Sequence, residues 1–284
     1  MSVVFRSLTW IISGLIWGTV ALAGTEWCQS VNACSTAIKS GFARTPAEYQ
    51  MLDSVRLNQL RSLKYLVNAG ISLEVTDGKG RTPLIIAAIN QNLEMIQFLL
   101  QRHAVINAVD ADSRTAMHWA SLKGYDALVS LLAESGSDLE AKDQDGYTPL
   151  LWAVTNGNVS SAEILLRHGS NVNFRGPQQI TPLILAASNG HSGMVRMLMH
   201  YGADKNAEDD GGSTAIIYAS YKGHTPVVAF LIEQQVDLFH ENHAGNSAFM
   251  WAIEQGFSEI ETMLSHAMRS TNHVSMTQSI STID

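Results

Sequence analysis

Few side chains in this sequence have the types and spacing that catalysis needs. His118 could serve as a general base in a hydrolase hidden within the array, yet no nucleophile motif or glycine-rich phosphate loop accompanies it. His240 and His243 offer two imidazoles three residues apart without a third ligand, so no metal site is expected. Cys28 and Cys34, the only two cysteines, could close a small disulfide loop in an oxidising compartment or stay as two thiols. The chemistry that recurs is of another kind. Trp119, Trp152, Tyr218 and Trp251 fall at one repeated position, and Arg81, Arg114, Tyr147 and Ile180 at another, with Tyr221 on a third. Trp, Tyr and Arg are the residue types that dominate protein interfaces. No enzyme and no cofactor are therefore expected, and the recurring rings could either anchor a partner or only cover the packing between repeated units.

Composition narrows the partner. The 284 residues are 46% hydrophobic and 15% charged, an ordinary balance for a folded chain and not that of a disordered one. A total of 18 Lys and Arg against 26 Asp and Glu leaves a net charge of −8, which opposes a phosphate backbone, so no nucleic acid is expected. Residues 1–23 have the pattern of a secretory signal peptide. Arg6 precedes an apolar stretch that ends Ala21-Leu22-Ala23, with Gly24 after it. The stretch, residues 8–23, is 16 residues long and includes Ser13, Gly14, Gly18 and Thr19, short of the roughly 20 apolar residues of a spanning helix. Cleavage would leave no stable membrane insertion. Export to an oxidising compartment agrees with both cysteines lying in residues 24–43. The leader has a bacterial look, so the periplasm is the first expectation and secretion the second.

The elements that must position the aromatic and basic residues follow from a register. Thr82, Thr115, Thr148, Thr181, Thr214 and Ser247 are spaced by 33 residues without an insertion. Each can cap a helix, and Pro83, Pro149 and Pro182 suit a first helical turn. Ala87, Ala120, Ala153, Ala186, Ala219 and Ala252 form a small-residue column where neighbouring first helices approach. Gly124, Gly157, Gly190, Gly223 and Gly256 then stop the first helix, and Leu99, Leu132, Leu165, Leu198, Leu231 and Leu264 mark the second. Gly136, Gly169 and Gly202 end the second helix, and Asp77, Asp110, Asp143 and Asp209 open a β-turn.

The segments Arg81-Thr82-Pro83-Leu84-Ile85-Ile86-Ala87-Ala88, Thr115-Ala116-Met117-His118-Trp119-Ala120 and Thr181-Pro182-Leu183-Ile184-Leu185-Ala186-Ala187 resemble the ankyrin repeat, whose hallmark is Thr-Pro-Leu-His-x-Ala-Ala. The resemblance implies an all-α ankyrin-repeat solenoid of about seven helix-turn-helix units joined by β-turn or hairpin loops. Residues 44–76 read as a divergent first unit with Tyr49 in the Thr position, 77–241 as five repeats, and 242–270 as a C-terminal cap. There Glu261 and Ser265 replace apolar residues on the second helix. Residues 271–284 read as a disordered tail. The resemblance also implies a protein partner bound on a concave face made of turn tips and first helices, and a structural role for His118 in holding the turn. A monomer is expected, working as an inhibitor or helper of a periplasmic enzyme, as an immunity protein or in stress defence, or instead as a secreted effector that engages host proteins.

Overall fold

The computed structural model describes residues 44–281. The proposed leader, the segment 24–43 and the Cys28–Cys34 pair lie outside the described residues. Each regular unit starts at a hydroxyl. Thr82, Thr115, Thr148, Thr181 and Ser247 sit in extended backbone and accept the N–H three residues on, satisfying a donor that the first helical turn leaves open. Thr214 holds the same backbone geometry without that bond, its hydroxyl buried and unpartnered.

The helices so begun are α3 (Pro83–Ile89), α5 (Ala116–Lys123), α7 (Pro149–Thr155), α9 (Pro182–Ser188), α11 (Ala215–Tyr221) and α13 (Ala248–Glu254). Each is followed by a longer second helix: α4 (Leu93–Gln101), α6 (Asp126–Glu134), α8 (Val159–Arg167), α10 (Ser192–His200), α12 (Thr225–Glu233) and α14 (Ser258–Ser281). Together with α1 (Pro46–Arg56) and α2 (Leu60–Asn68) they make fourteen α-helices, with no strand among the described residues. The turns carry one isolated antiparallel bridge, Glu241 to Ser247.

The first unit departs from the register at its start. Tyr49 is not the cap: it lies inside α1, which begins after Thr45. Thr45 accepts the N–H of Glu48, and the Glu48 carboxylate accepts the N–H of Thr45, a reciprocal cap that needs no preceding β-turn. At the other end α14 does not stop near residue 270. No Gly or Pro interrupts it, and the backbone stays helical to Ser281, through most of the stretch expected to be disordered.

Reversal between the two helices of a unit needs a left-handed residue. Gly124, Gly157, Gly190, Gly223 and Gly256 supply it at φ of 69 to 75°, and Asn58 and Gln91 adopt it without the help of glycine. Space also restricts this column, because a Cβ at Gly190 would stand 2.7 Å from the His224 ring of the next unit. Burial follows the repeat. The alanine column and the leucines from Leu99 to Leu264 have no exposed surface, and the buried apolar side chains form one continuous core along the stack. First helices contact one another more closely than second helices do, so the stack curves toward the first-helix side.

Two polar ladders tie the units. Along the base, Glu74, Asn107, Glu140, Asn173 and Asn206 each accept the backbone N–H of the residue 31 positions on. At the top, Asn158, His191 and His224 reach carbonyls of the preceding first helix or its end: Ser121 and Leu122, Thr155, and Ser188.

A candidate partner-binding surface

The turns are built by one carboxylate doing two jobs. Oδ1 of Asp77, Asp110, Asp143 and Asp209 accepts the backbone N–H groups two and four residues on, which closes the tip. Oδ2 then points at the first helix. It accepts from Trp119 Nε1 on Asp110 (2.9 Å), from Trp152 Nε1 on Asp143 (2.8 Å) and from the Tyr218 hydroxyl on Asp209 (2.7 Å). In each case the aromatic lies nine residues after its Asp, so a ring of the concave side is latched to its own turn. Where Ile86 fills the aromatic position, Arg81 takes over, donating through Nε (2.9 Å) and Nη2 (2.6 Å) to Asp77 Oδ2, with Arg56 at 3.2 Å. The last turn uses Asn242, whose Oδ1 accepts the N–H groups of Ala244 and Asn246.

The latches leave marks on ionisation. Burial alone would raise the Asp77 pKa, but the Arg81 side chain and the N–H groups of Lys79 and Arg81 outweigh it and hold the carboxyl well below the usual range. Burial, reinforced by the Asp209 carboxylate, pushes the Tyr218 phenol up to about 12.

His118 is wholly buried. Its Nδ1 accepts the Thr115 N–H at 3.1 Å, and its Nε2 donates to the Tyr147 carbonyl of the next unit's turn at 3.1 Å. Burial depresses its pKa, against the pull of that carbonyl and of Asp143. It joins two units and faces no cleft. His240 Nε2 likewise donates to the Gly212 carbonyl at 2.8 Å, and His243 packs over Gly212. No group of three or more potential ligands gathers among the described residues.

The sequence-selected residues separate into clusters. Arg114, Trp119, Tyr147 and Trp152 come together: the guanidinium stands 5.5 Å from the centre of the Trp119 ring and 4.9 Å from that of Trp152, and Tyr147 tilts on Trp152 at 5.3 Å. Arg114 also pairs with Asp143 (3.4 Å) and Asp112 (3.8 Å). Nearer the C-terminus Tyr221 meets Trp251 edge-on at 4.7 Å, with Lys222 over Tyr221 and Tyr218 latched to Asp209. Arg81 stays with Asp77, apart from both clusters. Ile180, like Tyr218 and Trp251, is half-buried and packs in part against the core. All of these except Tyr221, which is exposed, are half-buried. The tip residues Lys79, Asp112, Asp145, Gln178, Gly211 and Ala244 are all exposed.

Between the clusters lies an irregular turn, Gly176-Pro177-Gln178-Gln179-Ile180. Gly176 has no carboxylate, and Leu185 stands where the latched aromatic would be. Neighbouring tips are elsewhere linked by backbone bonds from Ala111 to Lys79, Gln144 to Asp112, Asp210 to Gln178 and His243 to Gly211. The corresponding donor to Asp145 would be Pro177, which has no N–H, so this rung is missing. A 3₁₀ turn (Pro177–Gln179) shapes the tip, with Gln178 and Gln179 both left-handed at φ of 54 and 58°.

Comparison with known proteins agrees with this geometry. The family model described as "Ankyrin repeats (3 copies)" matches residues 51–143, 128–209 and 204–274, and the chain belongs to the ankyrin-repeat family. Among solved structures it is similar to the ankyrin repeat domain of Bcl-3, described as a member of the IkappaB protein family. That similarity has 27% identity and a TM-score of 0.70, covering 78% of this chain and 99% of that one. No curated protein matches the sequence. A stack of ankyrin repeats is a protein–protein interaction module, and such proteins are typically non-enzymatic scaffolds. No helix among the described residues is long and apolar enough to cross a membrane.

Proposed function

We propose that this chain is an exported binding protein that grips a protein partner on its concave face, in the periplasm, where it inhibits or assists an enzyme. The cluster of Arg114, Trp119, Tyr147 and Trp152 carries the reading. It places rigid aromatic area and a guanidinium on the first-helix side, beneath exposed tips that bear both charge signs. Indoles latched by their N–H to buried carboxylates lose little conformational entropy on binding, because folding has already ordered them. The leader pattern of residues 1–23 and the placement of Cys28 and Cys34 just after it support export.

Affinity capture from a periplasmic extract tests the face. The native chain should retrieve a protein that Tyr147→Ala/Tyr221→Ala retrieves at least tenfold less, with the fold unchanged by circular dichroism. Equal retrieval by the double variant would place the contact elsewhere. Fractionation tests the compartment: recovery in the culture medium or in host cells, not the periplasm, would favour an effector that engages host proteins.

A further inference from the structure

The two ends of the stack are finished differently. The forward side of each first helix, which the next unit covers, is read from two columns. Ile85, His118, Leu151, Ile184 and Ile217 are at most 2% exposed, and Ala88, Ser121, Val154, Ala187 and Ser220 are fully buried. In α13 these columns continue as Met250, 46% exposed, and Ile253, 50% exposed. Ile253 is the bulkiest residue of its column, standing where the other units have Ala, Ser or Val. The last unit thus ends on a stacking face that is apolar on its first helix and polar, through Glu261 and Ser265, on its second.

The N-terminal end does the opposite. Its backward-facing columns are Gln50, where later units bury Pro or Ala, and Asp53, where they place Ile, Leu or an aromatic; Ser62 shares its column with Met95, Leu128, Ser161, Met194, Val227 and Ile260, all buried. These residues line an open groove with Arg61 and Tyr65.

We propose that a second copy of this chain docks on the C-terminal end of the array, α13 crossing α13 about a two-fold axis. Three observations select that occupant. The surface continues the apolar stacking face that a neighbouring first helix covers in every other unit. Head-to-tail stacking would bury Gln50 and the Asp53–Arg56 ion pair of the other copy against apolar groups, which is costly and disfavours an open filament. Met250 and Ile253, three residues apart on one helix face, are complementary to themselves under two-fold rotation. An antiparallel crossing sets Met250 of one copy on Ile253 of the other and the reverse, which closes the assembly at two. Glu261 and Ser265 stay at the wet rim.

The contact rests on two seven-residue helices, less than the roughly 1,200–2,000 Å² of a standard interface, so association is weak and depends on concentration. It replaces the monomer expected from the sequence and would present two concave faces in one particle, strengthening capture of any multivalent partner. Sedimentation equilibrium of the purified full chain over about 1–500 μM tests it, at concentrations that span a weak protein–protein equilibrium. Wild type should pass from monomer to dimer. Met250→Lys/Ile253→Lys, both at exposed sites, should raise the dissociation constant at least tenfold with an unchanged circular dichroism spectrum, while Gln50→Lys/Ser62→Lys at the opposite end leaves it unaltered. A wild-type chain that stays monomeric throughout, a dimer that survives the first double variant, or one that the N-terminal variant abolishes would overturn the proposal.

Discussion

The turn at Asp143 and the turn at Gly176 are consecutive copies of one device, and only the first has its chemistry. At Asp143 a single buried carboxylate closes the tip, holds the Trp152 indole and meets the Arg114 guanidinium. At Gly176 there is no carboxylate, no ring to hold and no N–H at Pro177 to link the tip to its neighbour, yet α9 still starts at a Thr181 cap and Leu198 is still fully buried. The difference separates two jobs. Helix caps and the leucine core determine how units stack, whereas the Asp–aromatic latch determines how rigidly the concave side is presented. A unit can lose the second and keep the first.

Removing the latch should therefore cost much more than altering the turn that lacks it. Asp143→Ala deletes two tip bonds and two side-chain partners around a buried site, and urea unfolding should show a loss of about 3 kcal/mol. Trp152→Phe keeps most of the ring but not the N–H, leaving Asp143 Oδ2 with one partner fewer. A loss of about 1.5 kcal/mol is expected, in the same assay. In the irregular turn the sign reverses. Gln179 is left-handed where Gly80, Gly146, Gly212 and Gly245 occupy the same column, so Gln179→Gly should raise stability by about 1 kcal/mol. A Gln179→Gly variant less stable than wild type would mean that this turn is held by side-chain contacts after all.

The smallest effect is a slope with pH. The folded-state pKa of His118 is depressed below its ordinary 6.5 by burial, so as pH falls below that value the unfolded chain takes up the proton first. Its contribution is complete above about 6.5 and declines as pH drops toward the folded value. Urea midpoints measured from pH 7.5 to 5 should fall more steeply for wild type than for His118→Gln.

Much of the fold was legible because a 33-residue register reports identical environments. The Thr caps, the left-handed Gly column and the buried leucines could be read from spacing alone. What escaped depends on pairings between columns or on departures from them. The latch joins residues nine apart, Asp110 to Trp119 and Asp143 to Trp152, and both were visible in the sequence, but only as a turn residue and a half-exposed ring. Thr45 was missed as the first cap because the register pointed to Tyr49, and the continuation of α14 because a Ser/Thr-rich composition hid the absence of any helix breaker. At Phe239 the basal ladder ends, since the position 31 residues on, Ser270, lies inside α14 and offers no free loop N–H.

The central claim is that the inner, first-helix side of the stack is where another protein is held. Hydrogen exchange on the captured complex tests it most directly, compared with the free chain. Slowed exchange is expected at the tips and first helices, over residues 110–123, 143–155 and 209–221, with the second helices α6, α8 and α12 unchanged. Protection confined to those second helices, with the tips exchanging as in the free chain, would contradict it.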